Sequence, residues 1–314
     1  MQAPRRETAM TDADLPIVDA HHHLWDLGAL RYPWLHDPEL HGGFFLGDYA
    51  PLRRNYLPAD YHRDAAGHNV VATVHVEAEC DRGLQVEETL WVDRIAEEHG
   101  MPAAIVGHAW FHREDCAEVL ERHAAASRRF RGVRSKPVTA ERPDLSVQGR
   151  PGTMQDEAWL RGFALMERYG LSWDLRVPAW HLEEAAEVAR AFPAVSIVLN
   201  HTGFPWDRSP EGLDLWRRGM AALAGCPNVS VKLSCLCLPD GPWREEENGP
   251  LVRETIRLFG AERCMFASNF PVDGLRIGFG EMMSAYKRMV RDLPDADRRA
   301  LFHDTAARFY RLDA

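Results

Sequence analysis

The stretch IVDAHHHLWD, residues 17–26, sets three histidines in a row directly after a short apolar run. Side chains of an extended chain alternate with a period of two, so Asp19, His21 and His23 are expected on one face and Ala20 and His22 on the other. A His-x-His pair at the end of a strand can aim two imidazoles at one metal ion or one polar substrate. The same three residues would read as a surface histidine cluster if nothing else in the chain converged on them. The fold therefore hangs on whether this run is one strand of a set.

It is one of eight. Short β-like runs recur at 17–23, 70–79, 103–110, 130–136, 171–177, 195–201, 229–235 and 264–270. Apolar residues spaced by three and four mark helices between them, among them Val86, Leu90 and Ile95, then Trp159, Phe163 and Met166, then Val252, Ile256 and Phe259. Gly170, Pro193, Pro227 and Gly260 punctuate the junctions. Eight β-then-α units predict a (β/α)8 barrel. A doubly wound open sheet would also alternate, but it carries a glycine-rich phosphate loop, and no GxGxxG or GxxxxGK[ST] occurs. The expected organisation is a leader over 1–15, disordered and with Met10 as an alternative start, followed by a single barrel domain over 16–314. Two connections, 24–60 and 137–156, are long; both follow strands, so both are expected at the C-terminal rim, covering a pocket.

Composition narrows the classes. The 314 residues are 46% apolar, enough for one large core, and the net charge is −10 with no basic cluster. Nucleic-acid binding needs clustered cations and is not expected. No run approaches the roughly 20 apolar residues of a membrane span. The first residues lack the apolar segment of a secretory signal. Six cysteines form no CxxC pair, and Cys235 and Cys237 sit in an apolar run, so free buried thiols in a cytoplasmic protein are expected.

Polar residues collect where these strands end. His21 and His23 end the first; His75, Glu77 and Glu79 alternate along the second; Arg134 and Lys136 end the fourth. Asp174 and Arg176 lie in the fifth, His201 ends the sixth, Lys232 and Ser234 lie in the seventh, and Asn269 ends the eighth. An unpaired charge in an apolar core is costly, so a ring of them predicts a polar pocket at one end of the barrel. Arg134, Lys136 and Lys232, with His75, are the expected substrate-binding residues. Three cations around one pocket predict a small anionic or strongly polar ligand.

The segments VDAHHHLWD (18–26), RGVRSK (131–136), LNHTGFP (199–205), VKLSCL (231–236) and MFASNFPVD (265–273) carry a resemblance. In this order they resemble the amidohydrolase superfamily and, more narrowly, its amidohydrolase-related lactonases, from about residue 16 to the C-terminus. The resemblance implies a hydrolase that opens a small polar or carboxylated lactone, of the sugar-acid or the pyrone and muconolactone type. It implies that His21, His23 and His201 bind one divalent metal, zinc first, or in metal-free members the substrate, and that Arg134 contacts a substrate carboxylate or hydroxyl. The strand-8 position that normally carries the water-activating aspartate is Asn269 here. A carboxamide accepts no proton near neutral pH and is a poorer ligand than a carboxylate. His201, Asn269 and Asp273 are thus the expected catalytic residues, with Asp273 or one of Glu77 and Glu79 standing in as base. Two rival readings remain: a small-molecule-binding barrel that has lost catalysis, and a non-oxidative decarboxylase. The sequence leaves a homo-oligomer open.

Overall fold

The structure, a computed structural model, describes residues 11–40 and 43–312. Eight strands, β1 Ile17–His22, β2 Val70–Val76, β3 Ala104–Gly107, β4 Phe130–Val133, β5 Ser172–Leu175, β6 Ile197–Leu199, β7 Val229–Leu233 and β8 Cys264–Phe266, pair in parallel in sequence order. A parallel bridge between His22 and Phe270 draws β1 and the end of β8 together, with His23 N donating to Phe270 O at 2.8 Å and Asn269 N to His21 O at 2.7 Å. Amphipathic helices such as Leu182–Ala191 and Pro210–Ala224 cover the outside. The fold is the expected (β/α)8 barrel.

Two apolar layers hold it. Between strands and helices lies the larger core, with Trp159, Phe163, Trp173 and Trp216 fully buried. Inside the barrel, Val18, Ala20, Val74, Val76, Ala104, Val106, Val198 and Met265 form a second cluster. Tyr310, from the helix Thr305–Tyr310, completes that inner cluster. Residues 11–15, expected in the leader, already pack on this body: Leu15 is buried and Asp12 pairs with Arg298. Residues 1–10, including the alternative start at Met10, lie outside the described residues.

The alternation expected in the first strand is broken. The β1–β2 register slips between Asp19 and His22, the signature of a bulge, in which one extra residue resets which face the following side chains take. Val18 and Ala20 point into the barrel. His21 and His23 still meet, Nε2 to Nε2 at 3.3 Å. Asp19 does not share their face: it and His22 both contact Tyr61 of the helix Pro58–Asp64, outside the barrel wall. The extra residue is what lets an apolar barrel interior turn into a histidine-lined mouth within one strand.

Asp19 also ties the first strand to the last. Its carboxylate accepts from Ser268 N at 2.8 Å, Ser268 Oγ at 2.6 Å and Tyr61 Oη at 2.7 Å, all in buried surroundings.

The long connection 24–60 folds on itself through an antiparallel bridge between Trp25 and Tyr56 and through Trp25 packed edge-on to Trp34 at 5.5 Å. The second, 137–156, is held against the β5–β6 side, where Ala140 N donates to His181 Nε2 at 2.8 Å. All six cysteines are free and buried. Among the described residues no helix is long and apolar enough to cross a membrane.

Asp19→Ala removes, at the β1–β8 seam, the acceptor of four buried donors, Ser268 N and Oγ, Tyr61 Oη and His21 N. The expected loss is about 3 kcal/mol of unfolding free energy, measured by urea denaturation; a loss within experimental error would mean that the seam closes without the carboxylate.

Candidate active site at the barrel mouth

The side chains expected at strand ends lie mostly one to three residues beyond the last paired residue, where the chain leaves the sheet. Glu79, His201, Cys235 and Asn269, after β2, β6, β7 and β8, all have positive φ, between 51° and 61°. Such conformations cost non-glycine residues of order 1 kcal/mol or more and collect at functional sites. At His201–Phe204 four consecutive residues are left-handed. Thr202 anchors that turn: its carbonyl accepts from Trp216 Nε1 at 2.8 Å and its Oγ1 from Ser234 N at 3.3 Å. Gly203 is required by contact as well as by φ, because a Cβ there would lie 3.1 Å from Leu182 and Met220 side-chain atoms.

The turn delivers His201 to the first-strand histidines. Its ring centroid lies 4.6 Å from that of His21, which lies 5.0 Å from that of His23. Partners assign the tautomers. Lys232 Nζ donates to Asp174 Oδ1 at 2.5 Å and to His21 Nδ1 at 3.3 Å, so the His21 proton sits on Nε2, facing His23 Nε2. His23 Nδ1 donates to Val76 O at 2.7 Å, leaving its Nε2 to accept. His201 Nδ1 meets Ser234 Oγ at 3.1 Å, and no hydrogen bond to its Nε2 occurs among the described residues. Burial, and then the cations around them, hold all three below the ordinary histidine range, His23 at about 3. All three are neutral at pH 7.

A cavity of about 300 Å³ opens here, lined by His23, His201 and Asn269, by Arg134, Lys136, Arg176 and Glu79, and by Trp25, Trp34, Phe44, Phe45 and Tyr49. The connection 24–60 thus covers the pocket as expected, whereas no residue of 137–156 lines it. The expected cations take different places. Arg134 Nε donates to Glu77 Oε1 at 2.7 Å and Nη2 to Glu77 O at 2.5 Å, leaving Nη1 without a protein acceptor among the described residues. Glu77 is pinned on its other side by Arg82 at 2.8 Å. Lys136 pairs with Glu79. Burial works to raise Glu79, and Lys136, helped by Arg134 and Arg176, more than offsets it and holds the carboxyl at about 2. That is too acidic for a base.

Three expected residues stand outside the pocket. Lys232 is fully buried beneath His21, its charge met by Asp174, which Tyr310 Oη also contacts at 3.0 Å. It orients a histidine and does not reach a ligand. His75 lies on the outer face of β2, whose inward residues are Val74 and Val76; its Nδ1 accepts from Leu24 N at 3.2 Å. Asp273 sits behind Asn269. Its two oxygens accept from Asn269 Nδ2 at 2.7 Å and Cys235 N at 3.1 Å, and burial pushes it up to about 7. It holds the Asn269 carboxamide and faces no ligand itself.

Arg176 is the residue to which the sequence assigned no role. It follows the last residue of β5, two positions after Asp174, and the alternation of WDLRV already placed the two together.

A divalent cation fits this donor set poorly. The His21 and His23 Nε2 atoms are spaced as two ligands would be, but Lys232 leaves the His21 proton on the very nitrogen that would have to bind. Asn269 replaces the carboxylate that would offset the metal's charge, and Arg134 and Arg176 already surround His201 with positive charge. Among the described residues no group of three histidine, cysteine or acidic side chains is arranged to hold a metal. The three histidines expected to bind a metal are brought together, His21 and His23 joined by a hydrogen bond and His201 packed on His21, above the Lys232 ammonium.

A parallel (β/α)8 barrel with a histidine cluster and an arginine held by a carboxylate at its C-terminal mouth is the architecture of a barrel enzyme, whose sites are built at that end. The amidohydrolase family profile matches residues 18–312, and the chain belongs to that family. It is similar to the uncharacterized protein y4mH of Sinorhizobium fredii, 39% identical over 96% of this chain and all of that one. It is also similar to L-fucono-1,5-lactonase of Burkholderia multivorans, 29% identical over 94% and 96% of the two chains. Among solved structures, an amidohydrolase from Burkholderia multivorans with bound zinc superposes with a TM-score of 0.76 at 26% identity, covering 94% of this chain and 99% of that one.

Two outcomes are expected from the geometry. Dialysis against a chelator should leave kcat/KM unchanged; a loss restored by added zinc would reverse the reading of the donor set. Asn269→Asp would place a second carboxyl against Asp273, and two carboxyls at that separation share one proton. One folded pKa then rises above its unfolded value near 4, the folded state holds more protons, and stability falls as pH climbs. Relative to wild type, the variant should lose about 1–3 kcal/mol between pH 4 and 8, followed by denaturant titration across pH; a flat difference would contradict the contact.

Proposed function

We propose that this protein hydrolyses a small polar or carboxylated lactone, with no metal step. The observation that carries the proposal is the pairing, in one cavity, of a neutral imidazole with a free ring nitrogen, His201, and a guanidinium with one free amino group, Arg134. The likeness to a fuconolactonase supports a lactone as the ester opened.

A water molecule held on His201 Nε2 and the Asn269 carboxamide attacks the lactone carbonyl carbon and gives its proton to His201. The carbonyl oxygen becomes an oxyanion facing Arg134 Nη1, which Glu77 holds in place before the substrate arrives; such preorganised donors are the usual main source of acyl-transfer catalysis. Collapse re-forms the carbonyl and breaks the ring C–O bond. The departing oxygen takes the proton from His201, giving the open-chain hydroxy or enol acid. The depressed basicity of His201 makes it a weak base and, once protonated, a strong acid. That balance suits a lactone whose ring oxygen is a good leaving group.

Proton release from a panel of sugar-acid and carboxylated unsaturated lactones tests the proposal. His201→Gln should lower kcat by about 10²–10⁴, and the acid limb of kcat/KM should fall below the ordinary histidine value of about 6.5. Lactones that raise the melting temperature and are never turned over would instead identify a binding barrel.

A further inference from the structure

Of the cations that line the pocket, Arg134 and Lys136 have carboxylate partners and Arg176 has none among the described residues. Its guanidinium carbon lies 5.0 Å from the Phe204 ring centroid and 6.0 Å from that of Phe45. Two aromatic rings position a planar cation without consuming its N–H donors, so the five donors remain for a ligand. Charge points the same way. Arg82, Arg134, Lys136 and Arg176 face Glu77 and Glu79, and the nearby Glu88 is pushed up to about 8 by burial, so the mouth carries surplus positive charge that a bound anion would neutralise.

The rest of the lining offers a ligand little to hydrogen-bond. Trp25 Nε1 donates to Arg54 O at 2.6 Å, Trp34 Nε1 to Ala78 O at 2.9 Å and Tyr49 Oη to Trp34 O at 2.8 Å. The polar atom of each ring is thus committed to the backbone, and with Phe44 and Phe45 these residues present apolar faces. A polyhydroxylated ring would leave its hydroxyls unpaired against them, a heavy cost in a closed pocket.

We propose that Arg176 is the anchor for a substrate carboxylate, and that with the aromatic lining it selects a carboxylated lactone with a flat apolar face over a sugar lactone. This deepens, and rests on, the hydrolase reading above. The test uses the full chain and three compounds: an unsaturated γ-lactone bearing a carboxymethyl group, its neutral carboxamide, and an aldono-1,5-lactone. The carboxylate is expected to be the best substrate. Arg176→Met should lower its kcat/KM about 50-fold, ~2.3 kcal/mol, mainly through KM, and lower that of the carboxamide far less. Arg176→Lys, which keeps the charge and loses the planar fork, should recover part of the difference. Equal losses on carboxylate and carboxamide, or an aldonolactone turned over best by wild type, would overturn the proposal. If no compound is hydrolysed, calorimetric binding of the carboxylate separates the two claims. Binding that Arg176→Met abolishes upholds the anchor while the hydrolase reading falls, and no preference for carboxylate over carboxamide sinks the anchor.

Discussion

The slip in the first strand is the constraint on which the site depends. A barrel interior must be apolar and a catalytic mouth polar, and a strand of strict alternation carries one character along one face. By inserting one residue between Asp19 and His22, β1 changes face as it rises. Below the slip, Val18 and Ala20 fill the interior; above it, His21 and His23 turn inward; Asp19 is left outside, where its carboxylate gathers Ser268 and Tyr61. The same irregularity that re-aims the histidines also supplies the group that closes the barrel.

Charges at the mouth are ordered by depth. Lowest is the Asp174–Lys232 pair, which sets the proton on His21. Above it, Glu77 spends its carboxylate holding Arg134, and Glu79 meets Lys136. Arg176 stands at the pocket against aromatic rings. A buried ion pair contributes little net stability, because desolvation offsets its attraction. What these pairs contribute is fixed geometry in a site where the reacting groups must not relax.

Much of this was legible in the sequence. The eight apolar runs gave the architecture because a parallel strand buried on both faces reads as a continuous hydrophobic segment. The polar residues interrupting those runs marked the mouth, and Arg134, Lys136, His201 and Asn269 do line it. Three things were not legible. A bulge leaves no residue signature in IVDAHHH, so Asp19 was assigned to the wrong face. The strands end at Val76, Val133, Leu199 and Phe266, and beyond them the chain leaves regular alternation, turning left-handed at Glu79, His201 and Asn269; period two cannot say that Glu77 turns to Arg134 while His75 turns outward. Nor does spacing reveal which cation has a partner. Lys232 and Arg176 look alike as basic residues in apolar runs, and only the fold shows one neutralised from below and the other without an ion-pair partner among the described residues.

Tyr310 closes the barrel floor, with its hydroxyl on Asp174 and its ring 5.2 Å from the Lys232 ammonium. The proton on His21 is thus fixed by an ion pair that a residue at the opposite end of the barrel seals from beneath. Opening the floor at Tyr310 would let water reach the Asp174–Lys232 pair and loosen the ammonium that sets the His21 tautomer, so the mouth depends on packing laid at the far end of the barrel.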